Sequence, residues 1–145
     1  MLNIDLSKLD YTFSTKPLLI GGMAMQYYGL RPAGADIDFV ITVADYTALA
    51  AKYPDHTRDL CGDKGVCVHG FEMWICICLF GYDYLAEGAI EADECRVITL
   101  EKLLFLKALA MKEPKYLADL QMIVGKVLNL QYQKEHLPGW PRSSL

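Results

Sequence analysis

The segment formed by residues 17–42 constrains the fold of this chain more than any other stretch. It begins with a short apolar run that ends at Gly21-Gly22, and residues 23–30 follow with a helical pattern. Residues 36–41 then alternate acidic and apolar side chains, which predicts a strand with two faces of different polarity. The segment therefore predicts a strand, a glycine turn, a helix and a second strand in immediate succession.

The glycine pair is suited to holding an anion. Gly21 and Gly22 carry no Cβ atom, so they permit a tight turn and a close approach of the backbone to a ligand. The helix that opens after them presents amide groups without partners inside the helix, and its dipole favours negative charge. The pattern predicts a phosphate-binding turn at Gly21 and Gly22.

Asp36 and Asp38 stand two positions apart on the predicted strand. Their side chains are therefore expected to point to one face, roughly 6–7 Å apart along the backbone, while Ile37 and Phe39 point to the core. Mg²⁺ takes oxygen ligands and commonly shares its coordination with substrate phosphates. Two such ions about 3.5–4 Å apart can hold both oxygens of a phosphoryl transfer. We predict a Mg²⁺ site at Asp36 and Asp38.

The order of these residues resembles a known signature. Ile20-Gly21-Gly22, a spacer of thirteen residues and Asp36-Ile37-Asp38-Phe39 resemble the pattern of the polymerase-beta-like nucleotidyltransferase superfamily. Small bacterial abortive-infection and toxin–antitoxin members have the form GGxAxxxxGxxRxxxDID. This chain is similar to that form, with its arginine one place earlier, at the positions Gly21, Gly22, Ala24, Gly29, Arg31, Asp36 and Asp38.

The resemblance implies an α/β (α+β) nucleotidyltransferase fold, with a short mixed sheet flanked by helices over residues 1–130 and a C-terminal tail over residues 131–145. The implied activity is Mg²⁺-dependent transfer of a nucleoside monophosphate from a nucleoside triphosphate to a hydroxyl of RNA, protein or a small molecule. The alternative is a catalytically impaired nucleotide- or partner-binding module of toxin–antitoxin type, whose partner is an antitoxin or a second copy of the chain.

The presence or absence of a third carboxylate distinguishes the enzyme from the catalytically impaired binding module. Nucleotide-transferring members of the superfamily usually carry it on a strand beside the Asp-x-Asp strand, where it serves a second metal ion and activates the attacking hydroxyl. Glu72 is the acidic residue of the corresponding strand, residues 72–79, although the resemblance places the third acid nearer Trp74. Glu72 is either the third catalytic carboxylate or an ordinary glutamate at a strand end.

Two cations complete the set of candidates. Lys107 lies in a strongly apolar helical stretch, and similar bacterial proteins have a lysine there that is thought to reach the nucleotide phosphates. Arg31 precedes the acidic strand and could pair with phosphate oxygens. The alternatives are a Lys107 whose stem packs while its head reaches water, and an Arg31 that is a solvated loop residue or the partner of a nearby acid.

Composition limits the remaining possibilities. The 145 residues are 53% hydrophobic, which excludes a disordered chain, and the net charge of −4 argues against non-specific nucleic-acid binding. No apolar run approaches the ~20 residues of a membrane span. No secretion signal is visible, and the five cysteines include no CxxC pair. We therefore expect free thiols, a cytoplasmic location and no membrane partner.

Patterns outside the central segment predict further elements. Helices are expected over residues 43–53 and 100–112, and another is expected to start at Pro114. Residues 54–64 are expected to form a loop. Residues 65–69 and 72–80 are expected to form a hairpin or two adjacent strands.

Overall fold

A computed structural model describes residues 2–135, so residues 136–145 of the predicted tail lie outside the described part of the chain. The chain divides into two compact units, Met1–Thr99 and Leu100–Leu145. The described strands all belong to the first unit, and the described part of the second unit contains two helices. None of the helices within residues 2–135 has both the length and the apolar content that crossing a membrane requires.

The first unit is a mixed α/β structure built on a seven-stranded sheet. Its helices are α1 (Gly21–Tyr27), α2 (Val43–Lys52) and α3 (Tyr82–Leu85). The strands of the sheet are β1 (Leu18–Leu19), β2 (Ile37–Val40), β3 (Thr57–Leu60), β4 (Asp63–Val68), β5 (Phe71–Trp74), β8 (Ile90–Glu91) and β9 (Arg96–Val97), and a separate ribbon contains β6 (Cys76–Ile77) and β7 (Phe80–Gly81).

The order of the strands in the sheet is β3-β4-β5-β2-β1-β9-β8. Strand β2 runs parallel to β5 and antiparallel to β1, β1 runs parallel to β9, and the remaining neighbours are antiparallel. The predicted mixed sheet in an α/β protein is therefore confirmed at this level.

Alternation along the central strands separates a buried face from a polar one. Phe39 of β2 lies opposite Met73 of β5, which lies opposite Val66 of β4, and all three side chains are fully buried. Successive side chains of a strand point to opposite faces. Asp38, Glu72 and Cys67 are the chain neighbours of these three buried residues. They therefore lie on the opposite face of the sheet.

The predicted boundaries differ from the structure in several places. Helix α1 begins at Gly21 instead of residue 23, β5 ends at Trp74 instead of residue 80, and α4 ends at Leu109 instead of residue 112.

Two further differences concern β2 and the predicted loop. Strand β2 begins at Ile37, one residue later than expected, and residues 54–64 contain a strand instead of only a loop. All four side chains of β3 are exposed, so its sequence lacks the apolar alternation that marks a strand. Its pairing with β4 decides the conformation, through a tight turn at Cys61 and Gly62 with φ of 55° and 98°.

Two other local predictions are confirmed. Strands β4 and β5 form the expected hairpin around His69 and Gly70, whose φ angles of 55° and 81° suit a two-residue turn. Helix α2 begins at Val43, and the side chain of Thr42 caps it by accepting a hydrogen bond from the amide of Asp45 at 3.2 Å.

The second unit contains two helices, α4 (Leu100–Leu109) and α5 (Pro114–Glu135). Helix α5 starts at Pro114 as predicted, because proline lacks only an amide hydrogen that the first turn does not use. It continues to Glu135, so residues 131–135, which were assigned to the tail, are helical. The two helices pack together around Leu103 and Ile123, which are fully buried.

Asp45 ties the N-terminal segment to α2. Its fully buried carboxylate accepts hydrogen bonds from the Tyr11 hydroxyl at 2.5 Å, from the Ser14 amide and hydroxyl at 3.0 Å each, and from the Thr15 amide at 3.2 Å. Burial raises the pKa of the Asp45 carboxyl, but these hydrogen bonds outweigh burial and hold the pKa below its usual value. Asp45 therefore belongs to the first turn of α2 and links this helix to the N-terminal segment.

We expect Asp45→Asn to lower the free energy of unfolding by about 2–3 kcal/mol at pH 7, because hydrogen bonds to a buried charge are lost. The lowered pKa of Asp45 means that its contribution is fully present above the unfolded value of about 3.9 and is lost as the pH falls through the folded value. Urea unfolding followed by circular dichroism at several pH values measures both effects.

The exposed Asp55 provides the matched control, since Asp55→Asn removes a carboxylate outside this hydrogen-bond cluster. A difference between wild type and Asp45→Asn that stays constant from pH 7 to well below the usual aspartate pKa would contradict the role given to the ionised carboxylate.

Candidate functional site

The carboxylates of Asp38 and Glu72 belong to directly paired positions of neighbouring strands. Asp38 on β2 pairs with Glu72 on β5 in the parallel ladder, and Glu72 pairs in turn with Cys67 on β4. Neighbouring strands lie about 4.7–4.9 Å apart. Trp74 pairs with Val40, so the acidic residue of β5 beside Asp38 is Glu72 itself. The three paired side chains form a row on the polar face of the sheet, called here the acidic row.

The glycine turn lies directly against this row. Gly21 has φ of +64°, and a Cβ atom built there would lie only 2.6 Å from Oδ2 of Asp38. The amide of Ile20 donates a hydrogen bond to the Asp38 carbonyl at 3.0 Å, which holds the turn and the strand together. Only glycine combines this backbone conformation with room for the carboxylate. The expected meeting of the diglycine turn and the acidic strand is therefore present at Asp38.

Gly22 faces an arginine. A Cβ atom on Gly22 would lie 3.5 Å from Nη1 of Arg31 and 3.5 Å from the amide nitrogen of Gly34. Nη1 of Arg31 also donates a hydrogen bond to the carbonyl of Pro32 at 2.9 Å. Asp38 thus borders Gly21 and Arg31 borders Gly22, so a carboxylate and a guanidinium both lie next to this turn.

Asp36 lies one residue before the start of β2, so its sharing of a face with Asp38 stays a prediction. It lies in an exposed bend just before β2, whose first ladder hydrogen bond runs from the Ile37 amide to the Gly70 carbonyl at 3.0 Å. The ladder of the sheet includes Asp38 but not Asp36.

The residues of the site fit a Mg²⁺ ion that arrives with a substrate. Within residues 2–135, no group of three or more His, Cys, Asp or Glu side chains lies close enough to hold a metal ion. Mg²⁺ is usually bound by one or two carboxylates together with substrate phosphates. Asp38, with the cradle that a Cβ atom on Gly21 would fill, matches such a shared site better than a cage built from protein ligands alone.

Cys67 and Arg58 also belong to this face, although the sequence patterns did not single them out. Burial raises the pKa of the half-buried Cys67 thiol, a hydrogen bond with Arg58 opposes that rise, and the charge of Glu72 adds to it. The neighbourhood of Cys67 could have been found from the β4–β5 hairpin register. Arg58 could not, because β3 has no apolar alternation.

Lys107 is charge-compensated inside the second unit. Its Nζ atom lies 2.9 Å from Oδ2 of Asp119, and both side chains are buried. The same Nζ atom lies 4.7 Å from the centroid of the Tyr116 ring. Burying a lone charge is costly, and the ion pair with Asp119 offsets that cost. Binding of nucleotide phosphates by Lys107 stays a prediction.

Two clefts of the first unit lie apart from the acidic row. One of about 430 Å³ includes Ile4, Tyr27 and Cys95, and one of about 540 Å³ includes Thr42, Ile75 and Tyr84. Neither is lined by Asp38 or Glu72. The charges and the glycine turn, rather than the clefts, mark the candidate site because they combine groups that phosphate chemistry uses.

Comparison of the chain with protein-family models, with curated proteins and with solved structures gives no match in any of the three. The resemblance to the nucleotidyltransferases therefore depends on the residues of the diglycine turn and the acidic strand.

We expect Gly21→Ala to lower the free energy of unfolding by about 2–4 kcal/mol, because it adds both backbone strain and a clash with Asp38. Gly29→Ala is the matched control, since Gly29 has a similar φ of +71° but open space around it, and it should cost only about 1–2 kcal/mol. Urea unfolding measures both.

The same substitutions in an Asp38→Ala background test the contact itself. Part of the additional cost of Gly21→Ala should disappear there, while the cost of Gly29→Ala should stay unchanged. Equal costs for the two alanine substitutions in the wild-type background would refute the contact between Gly21 and Asp38.

Proposed function

We propose that this protein is a Mg²⁺-dependent nucleotidyltransferase, which transfers a nucleoside monophosphate from a nucleoside triphosphate to an acceptor hydroxyl. One observation carries the proposal: the glycine turn contacts Asp38, and Glu72 pairs with Asp38 on the next strand. The proposal therefore uses a backbone turn, a carboxylate suited to hold a metal ion and a second carboxylate suited to act as a base, all in one region of the sheet.

In this proposal each residue has a separate task. Gly21 and Gly22 let the triphosphate approach the backbone, and Arg31 pairs with its phosphate oxygens. Asp38, aided by Asp36, holds the ion. Bound Mg²⁺ supplies charge neutralisation at the phosphates. Lys107 pairs with Asp119 within the second unit, so the proposal assigns it no task at the site of the first unit.

The chemical step is a displacement at the α-phosphorus. The acceptor oxygen forms a new bond to that phosphorus while the bond to the bridging oxygen breaks, and pyrophosphate leaves with the electron pair. Glu72 takes the proton of the acceptor hydroxyl, since it is the carboxylate directly beside Asp38. Glu72 is thus the third carboxylate of the proposed site.

A second candidate function is nucleotide or partner binding without catalysis, as in an impaired toxin–antitoxin module. The position of Asp36 favours it, because this residue lies outside the ladder that fixes Asp38. A site with one firmly placed metal ligand can bind a nucleotide yet hold the reacting oxygens too loosely for transfer. Its partner would be an antitoxin or a second copy of the chain.

Incubation with triphosphates labelled at the α-phosphate, Mg²⁺ and cell extract should place the label on RNA, protein or a small molecule. We expect Glu72→Gln to lower the transfer rate by about 10²–10⁴-fold, the usual contribution of a general base, with little change in triphosphate affinity. Asp38→Asn should weaken both, because it removes the metal ligand.

Glu101→Gln, which alters an exposed carboxylate at the start of α4, is the matched control and should behave as wild type. Calorimetric titration with a non-hydrolysable triphosphate separates the two candidates. Binding that requires Mg²⁺ and Asp38, with no transfer to any acceptor, would favour the binding module. No Mg²⁺-dependent triphosphate binding by the wild type would overturn both.

A further inference from the structure

Arg58 shares a face of the sheet with the acidic row. It pairs with Gly65 across the β3–β4 ladder. Gly65 and Cys67 are two residues apart on β4 and so point to the same side. Since Cys67 pairs with Glu72 and Glu72 with Asp38, all four functional side chains, from Arg58 to Asp38, lie on one face.

The guanidinium of Arg58 lowers the pKa of the Cys67 thiol against the larger effect of burial, which indicates that the two side chains lie close together. With strands about 4.7–4.9 Å apart, the backbone of β3 lies about 14 Å from that of β2. Arg58 therefore lies on the β4 side of the two carboxylates, whereas Arg31 borders the glycine turn that contacts Asp38.

The direction of the proposed reaction assigns different tasks to the two arginines. In an in-line displacement the attacking and leaving oxygens lie on opposite sides of the phosphorus. The triphosphate occupies the side of the glycine turn and Arg31, so its pyrophosphate leaves there. The acceptor must then approach from the side of β5, β4 and β3, where Glu72 can take its proton.

We infer that Arg58 and Cys67 form the acceptor subsite, and that the acceptor carries a phosphate close to its reacting hydroxyl. This inference rests on the proposed nucleotidyltransferase function. Arg58 supplies the planar, permanently charged donors that phosphate oxygens match, and the neutral Cys67 thiol separates it from Glu72. The acceptor oxygen forms the bond to the α-phosphorus, its proton passes to Glu72, and pyrophosphate departs toward Arg31.

A chain of net charge −4 can select an acceptor by recognising one phosphate group on it. General attraction of polyanions is weak for this charge. A single guanidinium at a fixed position can select a phosphate by geometry instead of by overall charge. The phosphate could be a phosphodiester of a nucleic-acid end or a phosphomonoester of a nucleotide, and the experiment below separates these two sources.

The test compares Arg58→Ala, Arg58→Lys and wild type in two binding measurements. Calorimetry gives the affinity for a non-hydrolysable triphosphate with Mg²⁺, and competition against a fluorescent oligoribonucleotide gives the affinities for that oligonucleotide and for a nucleoside monophosphate. Arg58→Ala should weaken acceptor binding by about 10–100-fold, the value of a hydrogen bond to a charged group, and leave triphosphate affinity within about twofold. Arg58→Lys should recover part of the loss.

Lys64→Ala is the matched control, because Lys64 belongs to the same hairpin but alternates to the opposite face from Cys67. Alkylation by iodoacetamide, followed by peptide mass spectrometry, provides an independent readout. The acceptor probe that binds should protect Cys67 while the exposed Cys61 and Cys78 stay as reactive as before.

The outcomes separate the inference from the proposed function. Loss of oligonucleotide binding only, or of monophosphate binding only, identifies the source of the phosphate and supports the subsite. Equal weakening of triphosphate and acceptor binding in Arg58→Ala would overturn it, because Arg58 would then serve the donor. Acceptor binding that is unchanged in Arg58→Ala, or absent in wild type, would also overturn it. Failure of the wild type to bind the triphosphate would instead overturn the proposed function.

Discussion

The contact between Gly21 and the carboxylate of Asp38 is the constraint on which the candidate site depends. It requires a left-handed backbone at Gly21 and leaves no space for a side chain. The Ile20 amide and the Asp38 carbonyl fix the same junction through a 3.0 Å hydrogen bond. A functional carboxylate is thereby held against a backbone turn, and its position no longer depends on its own side-chain rotamers alone.

The sheet extends this local contact into a longer surface. Because each strand alternates, burial of Phe39, Met73 and Val66 on one face places their neighbours on the other face, where the two carboxylates are half-buried. A shift of one residue in any of these strands would move its side chains to the opposite faces. Stability of the fold and assembly of the proposed site therefore use the same pairing register, with Asp38 and Glu72 placed by the burial of residues that take no part in chemistry.

Several features of the fold followed from local patterns. The glycine turn, the start of α2 at Val43, the hairpin around His69 and Gly70 and the start of α5 at Pro114 all depend on residues close together in the sequence. Strand β3 could not be predicted from local patterns, since its exposed side chains give no periodic signal. Only its pairing with β4 makes it a strand. The sequence patterns did not identify Arg58 for this reason. Strand β2 begins one residue later than predicted, so Asp36 lies in the bend before it.

By itself, the amino-acid sequence determined that a diglycine turn and an Asp-x-Asp segment stand at a spacing suited to phosphate and metal chemistry, because turn and strand propensities act over a few residues. Only the tertiary structure decided that Glu72 lies beside Asp38, that Cys67 and Arg58 continue the same face, and that Lys107 pairs with Asp119. Strand register and the pairing of buried charges join residues far apart in the chain, and they are set by burial of the whole core.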